Sequence, residues 1–532
     1  MRAPWFLTLF PFAVSVAEPS YTQCETQILA PSDLAAGDRF GGAVDHSAEL
    51  AVVGANRHDT AAGTDAGAVY VYGKQGAGWA LVQKLTPADA AASDFLGVSV
   101  ALSGDRILAS ASGDDGAASD AGSVYVFEEQ GGVWVETAEL TTSDAGPSDL
   151  LGRSIDLEGD RAVIGAPFHD GTGIGRGAAY VFEHQGGAWI QTAKLVPPPG
   201  TGLLQFGISV SLSEDTILVG AQLDSQQAHE AGSAFVFQKL GPLWFQQAKL
   251  LAADPTVAAQ FGGSVSLAGT RAVIGASNHD LGGGVSAGAV YVFEQSGAAW
   301  AQVAKLTASD AIAEDQFGSS VDQSGDLILV GDLGDDVGGF VSGSAYLFEK
   351  QGPTWVETAK LTSSDTAPSD VFGEAVSLAA GWALIGARGP LAPGPDPGSA
   401  TLFAVACDPA ACAVRNGAGI NPTDFACATP PILGTPWNAT IALAPTAGGA
   451  TLLTAVVFGF GGPTAGVLMD GFELLILPPY FYDFALGAHA LPVPCNQSLV
   501  GAPLTAQGLR IEDVAGTPVT VLTNALDLVL GH

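Results

Sequence analysis

The chain has 532 residues, of which 54 are acidic and 19 are basic, so its formal net charge is −35. This balance argues against nucleic acid or an anionic membrane as partner, because both need basic patches, and a hydrophobic content of 47% argues against disorder. Seventy glycines and 31 prolines favour a turn-rich all-β protein over a helical one.

The first twenty residues, MRAPWFLTLFPFAVSVAEPS, are typical of a secretory signal, with one arginine, an apolar run and small residues before the expected cleavage site. We therefore expect residues 1–17 to be a signal peptide that is removed after Ala17, and the protein to be secreted or at the cell surface. The apolar run is too short to span a bilayer, and later apolar stretches are interrupted by Gly, Pro or acidic residues. No membrane span is predicted.

From residue 24 the chain is repetitive, with an almost constant period. Each copy contains three strands of alternating polarity, such as GSVSL, RAVIGA and GAVYVF, then a turn with Trp and a fourth strand such as VAKL. Four short strands per copy are the signature of a propeller blade. A Phe-Gly or Leu-Gly step opens the copies, 55 or 56 residues apart, at Phe40, Leu96, Leu151, Phe206, Phe261, Phe317 and Phe372. The sequence predicts a seven-bladed β-propeller over residues 24–406.

The seventh copy lacks a fourth strand, and the missing strand is found at the other end of the chain. QILAPSDLAAGDRFG at Gln27–Gly41 matches AKLTASDAIAEDQFG at Ala304–Gly318. We infer that the N-terminal strand closes blade seven, since a closed ring leaves no sheet edge open. This register places Cys24 and Cys407 on neighbouring strands, which predicts a disulfide between them, with Cys412 as the competitor of Cys407.

These repeats resemble the FG-GAP repeat family, which forms the propeller of integrin α-chains and of many secreted bacterial proteins. The Phe-Gly step, VIGAP at Val163–Pro167 and GSVYVF at Gly122–Phe127 carry the resemblance. It implies a seven-bladed propeller and a binding or adhesion role, although the family also includes lectin-like modules and accessory domains of enzymes.

The resemblance does not extend to the calcium loop of many family members, Asp-x-Asp-x-Asp-Gly between the first two strands of a blade. Here that connection is only LSGD at Leu102–Asp105 or LEGD at Leu157–Asp160. Such a turn offers too few oxygens for calcium, which takes six to eight. The usual calcium loop is absent, so no cofactor is certain and the metal content is left undetermined.

Beyond Cys407 the repeat stops, and residues 408–532 are rich in Gly, Pro and β-branched runs without a helical period. This composition predicts a C-terminal β-sandwich-like domain, which resembles modules appended to secreted bacterial repeat proteins. The pairing of Cys412, Cys427 and Cys495 is left open, as is the oligomeric state.

Acidic residues are concentrated in two sets of loops that we expect on one face of the propeller, the upper face. One set joins the second and third strands of a blade, and the other leads from a fourth strand into the next blade. Carboxylates of adjacent loops bind Ca²⁺ if three or more converge, but Asp also caps turns without any ligand, and for a single pair capping is the more frequent role. The candidate ligand-binding residues are Asp59, Asp65, Asp89, Asp94, Asp115, Asp120, Asp144, Asp149, Asp170, Asp280, Asp310, Asp315, Asp336, Asp365 and Asp370.

The stretch DRAVIGAPFHDGTGIGRGAAYVF contains two features that imitate catalytic or cofactor motifs. His169-Asp170 recurs as His58-Asp59 and His279-Asp280. An enzyme needs a catalytic dyad only once, so the recurrence indicates a structural role in the loops. The glycines fit a loose dinucleotide pattern, but a strand follows them where a helix must begin.

We therefore predict a secreted, non-catalytic binding or adhesion module whose acidic upper face recognises an extracellular glycan or protein. Divalent cations held by the carboxylates are one way in which this face could bind its ligand. One alternative is a polysaccharide lyase or hydrolase with its site at the mouth of the propeller, which requires a grouping of residues that is not repeated. Arg57, Arg176 and Arg388 are the loop residues that break the pattern. The other alternative is a structural envelope or matrix protein.

Overall fold

In a computed structural model, the protein is described over residues 25–76, 78–170, 175–199, 202–282, 286–390 and 396–405, together with the backbone of seven short strands nearer the C-terminus. These residues contain strands and turns but no helix, which confirms the all-β prediction for this part of the chain. Accordingly, none of the described residues forms a helix that could cross a membrane.

Twenty-eight strands form seven four-stranded antiparallel sheets. Blades one to three contain β2(Phe40–His46), β3(Leu50–Ala55), β4(Ala68–Gln75), β5(Gly78–Leu85); β6(Leu96–Ser103), β7(Arg106–Ala111), β8(Ser123–Glu129), β9(Trp134–Leu140); and β10(Ser154–Glu158), β11(Arg161–Ala166), β12(Ala178–Gln185), β13(Ala188–Leu195). Blades four to six contain β14(Phe206–Ser213), β15(Thr216–Ala221), β16(Ser233–Leu240), β17(Leu243–Leu250); β18(Ser264–Ala268), β19(Arg271–Ala276), β20(Ala289–Ser296), β21(Ala299–Leu306); and β22(Phe317–Ser324), β23(Leu327–Asp332), β24(Ser344–Gln351), β25(Thr354–Leu361). Blade seven contains β26(Phe372–Ala379), β27(Trp382–Ala387), β28(Ser399–Ala404) and β1(Glu25–Leu29).

The N-terminal strand closes the ring as predicted. In blade seven the strand order is β1-β28-β27-β26, and Leu29 pairs with Ala400 in an antiparallel ladder. Because the two ends of the propeller chain share one sheet, the ring has no open edge between its last and first blades.

The hydrophobic core consists of seven separate clusters, one between each pair of neighbouring blades. In the first blade, Phe40 of the Phe-Gly step packs edge-on against Tyr70, with ring centroids 5.4 Å apart. The cluster that contains this pair also includes Leu384 and Leu402 of blade seven. Alternation along the strands gives each sheet two apolar faces, and stacking blades in a ring buries both.

Glycine is required where the backbones of adjacent blades touch. Gly41 follows Phe40 with φ = 91°, and a Cβ placed on Gly386 of blade seven would overlap the Gly41 carbonyl oxygen. The glycine of the Phe-Gly step and the glycine of the second strand are therefore two sides of one contact. Blade two is the exception, since Ser110 takes the place of the second-strand glycine and faces Gly152 of blade three.

The first strand of each blade lines the central channel, since it contacts the first strands of both neighbouring blades. The Trp of each hairpin between the third and fourth strands packs against the preceding blade instead of standing free. Trp79 and Trp134 are buried, and Arg161 lies over the ring of Trp244 at 5.4 Å. The tryptophans thus stabilise contacts between blades.

Nearer the C-terminus, the strands are β29(Phe425–Cys427), β30(Trp437–Ile441), β31(Val467–Asp470), β32(Glu473–Ile476), β33(Pro492–Val493), β34(Pro503–Ala506) and β35(Leu526–Val529). They form one three-stranded and two two-stranded sheets. Most of the predicted C-terminal β-sandwich lies outside the described residues, as do the predicted signal peptide and both cysteines of the predicted Cys24–Cys407 disulfide.

Candidate functional site

The two predicted sets of loops lie on the same face of the propeller. The loop between the second and third strands of one blade bonds through its backbone to the loop that leads into the next blade. Ser93 N donates to Thr64 O (3.0 Å), and Ser148 N donates to Ser119 O (2.8 Å) one blade further on. We call the surface formed by these loops, residues 30–39 and 56–67 in the first blade and their equivalents, the upper face.

In the loops that lead into blades one, three, five and six, an aspartate ties the loop to the blade that follows. Asp144 accepts a hydrogen bond from the Tyr180 hydroxyl (3.0 Å) and forms an ion pair with Lys194. Although partial burial opposes the effect, the Lys194 ammonium and the Tyr180 hydroxyl hold the pKa of Asp144 below its usual range. Equivalent tyrosine and lysine contacts are made by Asp33, Asp254 and Asp310. These carboxylates belong to the framework of the blades.

The second aspartate, five residues later, is buried and caps its own turn. Asp149 accepts a hydrogen bond from Gly146 N (2.7 Å) and another from His169 Nδ1 (2.7 Å). The turn-capping alternative therefore describes this position, because the carboxylate satisfies a backbone amide of its own loop. The same bond to the amide three residues earlier is made by Asp38, Asp94, Asp315 and Asp370, which are also buried.

The histidine of the pair His169-Asp170 bonds to a different aspartate from the one beside it in the sequence. His169 is 6% exposed and lies between Asp149 and Lys194, whose Nζ is 2.6 Å from His169 Nε2. Blade one repeats the arrangement with Asp38, His58 and Lys84. An Asp–His pair that occurs twice, buried against a lysine, ties two loops to the fourth strand and resembles a structural clamp more than a catalytic dyad.

Histidine and aspartate alternate at this buried position around the ring. Blades one, three and five have His58, His169 and His279, whereas blades two, four and six have Asp114, Asp224 and Asp335. The aspartates accept hydrogen bonds from a serine of the third strand, as Asp224 does from Ser233 Oγ (2.7 Å). In blades four and six they also pair with Lys249 and Lys360.

The remaining predicted carboxylates stand on the loops between the second and third strands, where one of each pair closes its loop. Asp115 accepts from Asp120 N (2.8 Å) and Asp336 from Val341 N (2.6 Å), five residues further along the chain. Of the candidate residues, Asp94, Asp149, Asp315 and Asp370 are buried, Asp65, Asp280 and Asp310 are half-buried, and Asp59, Asp89, Asp115, Asp120, Asp144, Asp170, Asp336 and Asp365 are exposed. The exposed carboxylates stand apart on successive blades. Within the described ranges, no group of three or more Asp, Glu, His or Cys side chains is arranged to hold a metal ion.

Two blades depart from the common network. In blade two, Glu139 stands where five of the other six blades have lysine. Although much of this side chain is exposed, loss of solvent around its carboxyl, with Asp114 and Asp89 adding to it, raises its pKa. In blade six, Asp332 ends the second strand where the other blades have alanine. Asp332 is fully buried, neither carboxylate oxygen has a hydrogen-bond partner, and burial together with Asp315 and Asp335 raises its pKa to about 9.

A second group of side chains surrounds the opening of the channel on the upper face. Arg39 precedes the first strand of blade one, and Arg57 and Arg388 follow the second strands of blades one and seven. These three come together because blade seven packs on blade one, where Phe40 N donates to Pro397 O (2.9 Å). Glu374, two residues after Phe372, forms an ion pair with Arg388.

Arg153 completes this group from across the channel. It lies two residues after Leu151 of blade three, the position that Glu374 has in blade seven, and its charge acts on Glu374. Burial raises the pKa of Glu374, whereas Arg388, Arg39 and Arg153 oppose the shift. We call Arg39, Arg57, Arg153, Glu374 and Arg388 the channel mouth.

The charges of the channel mouth do not balance within the protein. Among the described residues, no carboxylate lies within ion-pair distance of Arg39, Arg57 or Arg153. Burial, and then the nearby Arg57 and Arg388, lower the pKa of Arg39. Arg388 Nε and Glu374 Oε2 are buried, and neither has a hydrogen-bond partner in the described ranges.

Sequence reasoning singled out Arg57 and Arg388 and placed them correctly on different blades, but it did not foresee that ring closure makes them neighbours, and it missed Arg39, Arg153 and Glu374. A usable signal is present, because each missed residue departs from its equivalents in the other copies. The residues equivalent to Arg39 are Phe95, Leu150, Gln205, Gln260, Gln316 and Val371, and those equivalent to Arg153 and Glu374 are Gly42, Val98, Ile208, Gly263 and Ser319.

Comparison with known proteins supports the repeat. A family model described as "FG-GAP repeat" matches seven times, at residues 24–72, 79–127, 134–182, 189–237, 244–293, 300–348 and 355–403. Each match begins with the fourth strand of one blade and ends with the third strand of the next, so the sequence repeat is offset from the blade by one strand. No curated protein matches the chain. Among solved structures, a chain from "Crystal Structure of Mitotic Checkpoint Complex" is similar at 10% identity with a TM-score of 0.46, covering 76% of this chain and 99% of its own.

Proposed function

Because this chain belongs to the FG-GAP repeat family, whose propellers are binding or adhesion modules more often than enzymes, we propose that it is a secreted or cell-surface, non-catalytic binding module. The upper face recognises an extracellular glycan or protein. Function on a propeller is assigned from its site and not from its fold, so the support for this proposal comes from the loops.

The observation that carries the proposal is a constant backbone with changing side chains at the upper end of the channel. The residue before each Phe-Gly or Leu-Gly step has a left-handed φ between 52° and 65° in all seven copies. Its side chain is Arg, Phe, Leu, Gln, Gln, Gln or Val. Six of these seven side chains are half-buried and only Val371 is buried, whereas the core positions below them are nearly identical from blade to blade.

The exposed carboxylates around this centre supply a second part of the surface. Asp59, Asp115, Asp170 and Asp336 are each oriented by a backbone amide of their own loop. A fixed carboxylate accepts hydrogen bonds from sugar hydroxyls or protein amines without losing much side-chain entropy. A divalent cation shared between such a carboxylate and the ligand is part of the proposal, with the remaining oxygens supplied by ligand and water.

The test is binding of the secreted chain to an array of extracellular glycans and matrix proteins, with and without EDTA. The test variant is Asp115→Asn combined with Asp336→Asn, which removes two upper-face charges while an amide oxygen can still close each loop. The matched control is Asp105→Asn combined with Asp326→Asn, in exposed turns at the opposite ends of the same two blades.

We expect binding that the upper-face pair weakens and the control pair leaves unchanged. Loss of binding in EDTA would show that a cation takes part, whereas binding in EDTA would show direct recognition. Equal binding by both variants, release of a cleaved product from a bound glycan, or no binding at all would each contradict the proposal.

A further inference from the structure

We propose that the channel mouth binds the carboxylate of an acidic sugar, the kind of group that uronic acids carry. This inference rests on the proposed function and specifies the chemistry of its ligand. It reverses the expectation from composition, in which a protein of net charge −35 prefers cations and neutral ligands.

The first argument is an excess of positive charge in one place. The charges of Arg39, Arg153 and Arg388 all act on one carboxylate, Glu374, and only Arg388 forms an ion pair with it. Arg57 lies close enough to Arg39 to repel it, and Asp65 is the one other carboxylate whose charge acts on Arg39. Like charges that are held together without counter-ions repel one another, and partial burial strengthens the repulsion. A bound anion relieves this repulsion, so the channel mouth is more favourable when it is occupied by a negative group.

The second argument is that the site has unused hydrogen-bonding groups. Among the described residues, the buried donor Arg388 Nε has no acceptor, and no carboxylate accepts from the guanidinium groups of Arg39 and Arg153. A guanidinium presents two parallel N–H groups that match the two oxygens of a carboxylate. Arg57 is oriented by Phe95, whose ring lies 5.9 Å from the Arg57 guanidinium carbon.

The side chains that continue the ring from Arg39 favour a polyhydroxylated ligand. Gln205, Gln260 and Gln316 are its equivalents on blades four, five and six, and each is half-buried. Gln205 Oε1 accepts a hydrogen bond from Gln222 Nε2 (2.7 Å), whereas the side-chain amides of Gln260 and Gln316 have no partner in the part of the chain that the structure describes. An amide that both donates and accepts is suited to a sugar hydroxyl, which does the same.

The acidic loops limit how much charge the ligand can have. Exposed carboxylates such as Asp59, Asp115 and Asp170 stand on the loops around the arginines. A densely sulfated or phosphorylated chain would extend from the arginines over these carboxylates and be repelled. A sugar with a single carboxylate can place that group against the arginines of the channel mouth, so that only its uncharged hydroxyls lie next to the acidic loops.

The experiment titrates the full chain with glucuronate, glucose, glucose 6-sulfate and a capped acidic dipeptide, using ligand-observed NMR at fixed ionic strength. The variants are Arg39→Gln, which removes a half-exposed guanidinium without breaking an ion pair, and Arg388→Gln. The control is Arg106→Gln, an arginine of similar exposure that pairs with Glu128 and Asp160 at the end of the propeller opposite the upper face. Tryptophan fluorescence establishes that each variant is folded.

We expect glucuronate to bind about tenfold more tightly than glucose, and Arg39→Gln to remove most of that difference, as for the loss of one charge-assisted hydrogen bond. Arg106→Gln should bind like the unmodified protein. Equal affinity for glucose and glucuronate, preference for the sulfate or the dipeptide, or no effect of Arg39→Gln would overturn the inference. If array binding depends on Asp115 and Asp336 while glucuronate does not bind, the inference fails and the proposed function stands.

Discussion

Replacing Asp332 with alanine should stabilise the propeller, and the gain should depend on pH. Alanine is the residue that the other six blades have at this position, so the packing already accommodates it. Asp332 is fully buried, and neither of its oxygens has a hydrogen-bond partner. Its neighbours Asp315 and Asp335 are themselves acidic, which leaves Lys360 as the one opposing charge among those acting on it.

The magnitude follows from the shift of its pKa from 3.8 to about 9. Below pH 4 the carboxyl is protonated in both the folded and the unfolded chain, so it adds no pH dependence there. Between pH 4 and pH 9 the unfolded chain loses a proton that the folded chain keeps, and the folded state is destabilised by about 1.4 kcal/mol for each pH unit. At pH 7 this amounts to about 4 kcal/mol, and above pH 9 it stays constant.

A second contribution does not depend on pH. A buried carboxyl without a hydrogen-bond partner costs about 1–3 kcal/mol even when it is neutral. Asp332→Ala removes both the pH-dependent and the pH-independent cost. Asp332→Asn removes only the pH-dependent cost, because the amide does not titrate but is still a buried polar group without a partner. We therefore expect the alanine variant to be more stable at every pH, and the asparagine variant to approach the unmodified protein near pH 4.

The assay is urea unfolding followed by tryptophan fluorescence at pH 4.5, 7 and 9. Asp326→Ala, in an exposed turn of the same blade, is the control and should change the free energy of unfolding by less than about 0.5 kcal/mol. A loss of stability in Asp332→Ala at pH 7 would refute the reasoning. It would mean that the carboxylate is ionised and held by a cation in the folded protein.

Glu139→Lys should stabilise blade two by about 1 kcal/mol, a small gain because Glu139 is exposed, and Glu139→Gln should give about half of that gain. Thermal unfolding compares the two variants with the unmodified protein. A lower unfolding midpoint for the lysine variant would contradict the prediction that the glutamate is unfavourable here. Gly41→Ala should cost about 3 kcal/mol or more, because Gly41 has φ = 91° and a Cβ there would overlap the Ser399 carbonyl. Gly37→Ala, also at positive φ but with no atom near its Cβ, should cost only about 1 kcal/mol, and equal losses in urea would refute the packing argument. Mass spectrometry of a non-reduced digest should find a Cys24 peptide linked to a Cys407 peptide, and a Cys24 peptide free or joined to Cys412 would refute that pairing.

The fold could be predicted because the same pattern of four strands occurs seven times in the sequence. A single copy such as GSVSL followed by RAVIGA is compatible with many β structures, but seven copies at 55 or 56 residues are compatible with few. The closure by the N-terminal strand was predictable for the same reason, since Gln27–Gly41 could be aligned with an internal copy. Local alternation and a constant period are properties of the sequence itself.

The side-chain networks were less predictable because their partners are distant along the chain. His169 is followed by Asp170 but pairs with Asp149, twenty residues earlier. Arg57 and Arg388 are more than 300 residues apart and become neighbours only because the ring closes between blades one and seven. The fixed spacing of the aspartates identified their loops correctly, but spacing does not distinguish a carboxylate that caps a turn from one that faces a ligand.

A repeat protein provides an internal reference for separating packing from binding. At each position, the other six copies show which side chains the fold accepts, so a departure identifies a property that packing does not require. Asp332 and Arg39 are both departures, but they differ in surroundings, since Asp332 is sealed in the interior and Arg39 borders the open channel. The first therefore affects stability and the second is available to a ligand. Carboxylates on the loops and guanidinium groups at the centre form opposite charges on one face, and such a face favours a ligand with one anionic group and a neutral or cationic periphery.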